Sequence, residues 1–219
     1  MTNFDQEREA MVERQLRRRG VTEEHILAAF REVPREQFVS PANAHLAYGD
    51  YPLPIEAEQT ISQPYIVALM IQAAGIAPGQ RVLEVGAGSG YAAAIISRIA
   101  GRVIGIERQH ELVEVARERM RRLGYANVEI VEGDGTRGWP DAAPYDAILA
   151  AASGSHVPQP LVDQLAPGGC IVMPIGSSGA IQKLIRATRT PDGSIQQSDL
   201  GAVRFVPLIG EEGWSDDRD

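Results

Sequence analysis

One cysteine, Cys170, stands in a chain of 219 residues, so no internal disulfide can form, and a reducing, cytoplasmic location is expected. As a small apolar residue in a predicted strand, Cys170 reads as core packing rather than as a nucleophile. No apolar run approaches the roughly 18–20 residues that a membrane helix needs, so no membrane partner is expected. The opening Met1-Thr2-Asn3-Phe4-Asp5-Gln6-Glu7 lacks the basic-then-apolar plan of a secretory signal. His25, His45 and His110 share no metal-ligand spacing with one another or with Cys170, and no metal is expected. Cations are also in the minority. Lys and Arg number 21 against 29 Asp and Glu, and the formal net charge of -8 argues against a nucleic-acid surface. The one basic run, Arg17-Arg18-Arg19, ends a helix before Gly20, where cations complement the helix C-terminus.

The residues present are patterned as one α/β domain, for which 44% hydrophobic and 23% charged residues are ordinary. Two helices open the chain, from about Glu7 to Arg19 and then from an N-cap at Thr22, with Ile26, Leu27 and Phe30 on one side. Prolines 34, 41, 52 and 54 break the next stretch into an irregular region, Val39 to Glu58, of the length that usually serves function. From Arg81 onward strands and helices alternate. Strands are predicted at 81–85, 102–107, 128–131, 146–149 and 170–173, with helices at 91–99 and around Leu112, Val115, Ala116, Met120 and Leu123, stopping at Gly124. This predicts a doubly wound sheet. Lys183–Thr188, the turn Pro191-Asp192-Gly193-Ser194 and Ala202–Val206 predict an antiparallel hairpin, and Ser215–Asp219 a frayed acidic tail.

Leu83-Glu84-Val85-Gly86-Ala87-Gly88-Ser89-Gly90-Tyr91 places Gly86, Gly88 and Gly90 between a strand and a helix N-terminus, where backbone can pass close to a ligand. Tyr91 stands where a dinucleotide fingerprint needs a small residue, which disfavours a pyrophosphate ligand and a dehydrogenase. Glu107, followed by Arg108, ends the second strand, where a carboxylate can accept from ribose hydroxyls. Asp134-Gly135 ends the third, within reach of an adenine amino group. Glu84 lies inside an apolar strand and needs a partner. Ordinary strand-end or salt-bridge roles are open to each residue alone, but all three in register with the glycines favour a cofactor site.

Joined to Gln59-Thr60-Ile61-Ser62-Gln63-Pro64-Tyr65, this loop resembles the protein-L-isoaspartate (D-aspartate) O-methyltransferases. The resemblance extends through Pro52-Leu53-Pro54-Ile55, Gly133-Asp134-Gly135-Thr136, Gly138-Trp139-Pro140, Pro167-Gly168-Gly169 and Val203-Arg204-Phe205-Val206-Pro207-Leu208, covering about Met11 to Leu208. It implies a Rossmann-like class I methyltransferase fold of about seven mostly parallel strands, with an N-terminal helical extension (1–78), a cofactor core (79–180) and a C-terminal hairpin and tail (181–219). It implies S-adenosylmethionine as cofactor and isoaspartyl peptides and proteins as substrates, with the methyl ester leading to succinimide and repair; a monomer is expected. Glu84, Gly86, Gly88, Gly90, Glu107, Arg108, Asp134 and Gly135 would bind cofactor, Ser62 would act in catalysis, and Thr60, Ile61, Val203 and Phe205 would contact substrate. A carboxylate nucleophile is ionised at neutral pH, so no general base is required. Read by itself, Ser62 could equally N-cap the helix that follows, and core packing is open to Val203 and Phe205. Two departures stand out. Members often read Gly-x-Gly-Gln where this chain has Glu56-Ala57-Glu58-Gln59, and Thr-Ala-Ala-Ala-Pro where it has Ala151-Ala152-Ser153-Gly154-Ser155-His156. A methyltransferase for a dedicated peptide or small carboxylate, and a non-catalytic cofactor-binding module, are the alternatives.

Overall fold

Runs rich in Val, Ile, Leu and Ala pair into one sheet in a computed structural model that describes residues 4–216. Strands are β1 (Leu53–Pro54), β2 (Thr60–Ile61), β3 (Arg81–Val85), β4 (Arg102–Glu107), β5 (Val128–Glu132), β6 (Tyr145–Ala150), β7 (Leu165–Ile175), β8 (Gln182–Arg189) and β9 (Ile195–Val203). Helices are α1 (Phe4–Met11), α2 (Glu24–Glu32), α3 (Pro64–Ala74), α4 (Tyr91–Ser97), α5 (His110–Leu123) and α6 (Gln159–Asp163). The order β5-β4-β3-β6-β7-β8-β9 is parallel from β5 to β7 and antiparallel from β7 to β9. This is the class I methyltransferase architecture, ending in the expected hairpin. None of the described helices is long and apolar enough to cross a membrane.

Because successive strand residues point to opposite faces, each strand feeds two apolar layers. Val82, Val103, Ala147 and Cys170 pack under α1 to α5, while Leu83, Ile104, Ile148 and Ile171 face Leu161, Leu165 and Trp139 on the other side. The parallel strands therefore read as near-continuous apolar runs. Cys170 is buried, its thiol donating to the Ala74 carbonyl at 3.3 Å, as its core reading required.

Several local expectations are corrected. The first helix runs on from α1 through a widened turn, Val12–Leu16, and a tight one, Arg17–Arg19, before Gly20 stops it at φ +94°. Helix α2 is N-capped by Glu23 without a side-chain bond, because the Thr22 hydroxyl lies 3.5 Å from Glu23 Oε2 instead. The irregular region follows a helical turn, Arg35–Phe38, and holds a second, Pro41–Leu46, and strand β1, which pairs with β2 just beyond it. The hairpin's second strand is Ile195–Val203 rather than 202–206. Thr190 and Ser194 close the turn backbone to backbone at 2.9 Å, which starts the return strand at once, and the chain leaves the sheet after Val203.

Candidate active site

Strand order reverses beside β3, which pairs with β4 on one side and β6 on the other, and a cavity of ≈1290 Å³ opens at the ends of these strands. Its floor is the glycine loop. Gly86, Gly88 and Gly90 take φ of +82°, +52° and +85°, a left-handed path that side chains resist. The amides of Gly86 and Ala87 both donate to the Ile106 carbonyl, at 2.9 and 3.1 Å. Glu107 then fixes the loop from the neighbouring strand, with Oε2 accepting from the Gly88 amide at 3.0 Å. Its Oε1 accepts from the amides of Arg108 and Gln109 at 2.8 and 3.0 Å. Carboxylate oxygens offer about four acceptor positions, so capacity is left over for a ligand. Glu84, Gly86, Gly88, Glu107, Arg108 and Gly135 all line the cavity. Glu84 Oε2 is buried without a hydrogen-bond partner.

A carboxyl in that setting is held protonated. Burial, and then the like charge of Glu107, push the Glu84 pKa up to about 8. A folded-state value above the unfolded one, near 4.3, means that the native state keeps a proton the unfolded state releases. Stability from this group is complete below pH of about 4.3 and is lost as pH rises to about 8. Glu84→Gln, which cannot ionise, is therefore expected to gain on the wild type across that window by an amount of order several kcal/mol, and to hold a constant lead above it. Urea unfolding from pH 5 to 9 checks this; parallel curves would contradict it.

On the opposite wall Thr60, Ile61 and Ser62 line the same cavity as Val203 and Phe205. Ser62 does not cap α3, which begins with Pro64 at its first position and has Gln63 as N-cap with no side-chain bond. Asp50 serves that end from a distant loop: Oδ1 accepts from the Tyr65 amide at 3.4 Å and Oδ2 from Gln63 Nε2 at 2.7 Å. The Ser62 carbonyl accepts from Arg35 Nη2 at 2.9 Å, while among the described residues its hydroxyl has no partner. Phe205 is placed by buried Gln182, whose Oε1 accepts from its amide at 2.9 Å and whose Nε2 donates to its carbonyl at 3.4 Å.

Two expected cofactor residues lie elsewhere. Asp134 is not among the residues that line the cavity, although Gly135 beside it is: Oδ1 accepts from the Thr136 amide and hydroxyl at 2.8 and 2.7 Å, and Oδ2 from the Glu211 amide at 2.8 Å, which ties the end of β5 to the C-terminal segment. Gly90 faces α5, where a Cβ would meet Met120 Cε at 2.8 Å, and its φ of +85° favours glycine whatever the room. Donor chemistry fits a ligand with hydroxyls and a cationic group: one anchored carboxylate, one orphaned carboxyl oxygen, and no group of three metal-ligating side chains among the described residues. S-adenosylmethionine has that character.

The sequence model of the "Protein-L-isoaspartate(D-aspartate) O-methyltransferase" family matches residues 6–213. The chain belongs to this family. It is 51% identical over 214 residues to protein-L-isoaspartate O-methyltransferase 2 of Pelobacter propionicus, covering 98% of this chain and 95% of that one. It is 53% identical to protein-L-isoaspartate O-methyltransferase 1 of Rhodopseudomonas palustris, covering 98% of this chain and 87% of that one. Among solved structures, a protein-L-isoaspartate O-methyltransferase superposes with a TM-score of 0.84 at 33% identity, over 94% of this chain and 66% of that one. A Plasmodium falciparum structure titled as a putative protein-L-isoaspartate O-methyltransferase in complex with S-adenosyl-L-homocysteine superposes at 0.79 with 28% identity, over 92% of this chain and 98% of that one.

The places where this chain departs from the isoaspartate methyltransferase pattern are structurally compensated. Ala57 and Glu58 sit at φ +52° and +56°, backbone that favours the glycines of the common motif. Glu56 instead pairs with nearly buried Arg119 at 2.8 Å, tying the loop to α5. In the altered loop, Ala151 and Ala152 line the cavity and His156 is exposed. Ser153 holds the C-terminal segment: its amide donates to the Val206 carbonyl at 2.8 Å, and its carbonyl accepts from the Leu208 amide at 2.8 Å and Trp214 Nε1 at 2.9 Å. The tail is therefore not frayed where described. Asp216 pairs with Arg108 at 2.7 Å at the cavity wall, while the expectation for 217–219 lies outside the described residues.

Proposed function

We propose that this chain methylates the free α-carboxylate of isoaspartyl residues, or the side-chain carboxylate of D-aspartyl ones, in damaged peptides and proteins. The observation that carries this reading is the position of Ser62, whose hydroxyl is unengaged and which lines the same cavity as the glycine loop and the carboxyls of Glu84 and Glu107. Glu107 would take a hydrogen bond from the cofactor's ribose, Glu84 would face its cationic part, whose charge favours release of the Glu84 proton, and Gly86, Gly88 and Gly135 would let backbone approach it. When bound, S-adenosylmethionine supplies an electrophilic methyl on a sulfonium. Ser62 donates one hydrogen bond to the substrate carboxylate and so fixes which oxygen faces that methyl. With the cofactor bound, the carboxylate oxygen would take the methyl as the sulfur–carbon bond breaks and leaves the thioether, with no proton to move and so no need of a general base.

Charge favours the same chemistry. The transition state disperses an anion and a cation, so alignment and exclusion of water matter more than acid–base groups. A neutral hydroxyl orients the anion without the tight pairing that would blunt it. Thr60, Ile61, Val203 and Phe205 form the wall against the peptide. A cytoplasmic protein that takes peptides rather than nucleic acid is the reading supported by the net charge of -8 and the lone cysteine.

Two peptides that differ only in isoaspartate against aspartate at one position test this. With methyl-labelled cofactor, base-labile methyl ester is expected on the isoaspartyl peptide alone. Equal labelling of both, or of neither while cofactor binds, would contradict it.

A further inference from the structure

Arg35 opens the turn Arg35–Phe38 and is entirely buried. A buried guanidinium ordinarily finds a carboxylate, yet among the described residues Arg35 forms no ion pair. Its Nε donates to the Ala47 carbonyl at 2.8 Å and its Nη2 to the Ser62 carbonyl at 2.9 Å. Its Cζ lies 4.7 Å from the centroid of the Tyr91 ring, and Nη1 has no hydrogen-bond partner. Tyr91 directly follows Gly90, so it ends the glycine loop and opens α4. Phe30 and Phe38 flank that buried ring edge-on, at 6.3 and 5.4 Å between centroids.

One planar, rigid group thus touches the peptide of the serine on one wall and the aromatic ring that ends the loop on the other. Resting on the function proposed above, we infer that Arg35 is a positioning residue that sets Ser62 in register with the glycine loop, so that substrate carboxylate and methyl donor meet in line. In-line displacement is sensitive to such register, and a shift of about 1 Å costs about 100-fold in rate. A fixed cation behind Ser62 also favours an anion in front of it. Other buried charges in this part of the chain behave differently. Arg119 has its partner in Glu56, and Glu84 belongs to the cofactor wall.

Arg35→Lys keeps the charge but cannot reach two carbonyls and stack on a ring at once. Its kcat on an isoaspartyl peptide is expected to fall between about 10- and 100-fold, with S-adenosylhomocysteine affinity, read by calorimetry, within about twofold of wild type. In the Ser62→Ala background the same change is expected to add little, since Arg35 acts through Ser62. Wild-type kcat in Arg35→Lys would overturn the inference. So would a parallel loss of cofactor affinity, or losses that multiply in the double variant, because a residue of packing alone behaves that way. Should Arg35→Lys not fold, the Arg35 side-chain N–H signals of the wild type decide by NMR. They are expected to shift on adding S-adenosylhomocysteine and again on adding peptide, and indifference to both would overturn the inference. Wild-type protein inactive on every isoaspartyl peptide would instead sink the functional reading, a result the same assay separates from the first.

Discussion

Glu107→Ala is expected to weaken S-adenosylhomocysteine binding by about 100-fold or more, the larger of two effects the site predicts. The carboxylate does two things at once: it accepts from the backbone amides of Gly88, Arg108 and Gln109, and it keeps acceptor capacity for a ribose hydroxyl. A hydrogen bond to a charged group contributes about 1.5–3 kcal/mol, so losing the one left for the ligand, together with the anchor of the loop, reaches the stated range. The loop itself also loses the acceptor for the Gly88 amide, so the floor of the site loosens together with the grip on the ligand. Glu107→Gln, which keeps one acceptor oxygen, should fall between the two. Titration calorimetry reads both affinities directly, and an unchanged value for Glu107→Ala would place the cofactor elsewhere. The same substitution removes the like charge that helps raise Glu84, so the Glu84 pKa should move back toward the ordinary carboxylate range.

Ser62→Ala should have the opposite signature. The fold is expected to persist, because α3 takes its capping from Asp50 and the Arg35 bond goes to the Ser62 main chain, which alanine retains. Cofactor affinity should be close to wild type, since the loss falls on the far wall of the cavity. Methyl transfer should drop between about 10- and 100-fold in kcat/KM, the worth of one hydrogen bond to an anion. Peptide methylation beside cofactor calorimetry checks both halves. Equal losses in the two, or a lowered melting temperature, would show that the serine is chiefly structural.

Much of this arrangement could be read before the structure, and what escaped did so for identifiable reasons. Apolar runs and glycines are local signals, so the parallel strands, the loop Gly86–Gly90 and the acid at the end of β4 were all legible. The cofactor was legible through the family resemblance, with Tyr91 speaking against a pyrophosphate. Long-range partners were not. Asp50 capping α3 across 15 residues, Gln182 holding Phe205 across 23 and Ser153 holding Trp214 across 61 depend on how the chain closes, which no window of sequence contains. Ser62 shows the limit most clearly. A serine two residues before a helix-opening proline looks like a cap, and only the arrival of Asp50 from another loop releases it. Asp134 shows the same limit, because its bonds to Thr136 and to the Glu211 amide depend on the C-terminal segment folding back over the end of β5.

The most direct test of Ser62 and the glycine loop as the two halves of one methyl-transfer site is a crystal structure with S-adenosylhomocysteine and an isoaspartyl peptide bound together. The free carboxylate of the isoaspartyl residue is expected within about 3 Å of Ser62 Oγ, with the cofactor's ribose on Glu107. A carboxylate bound away from Ser62, or a cofactor bound off the Gly86–Gly90 loop, would contradict that assignment.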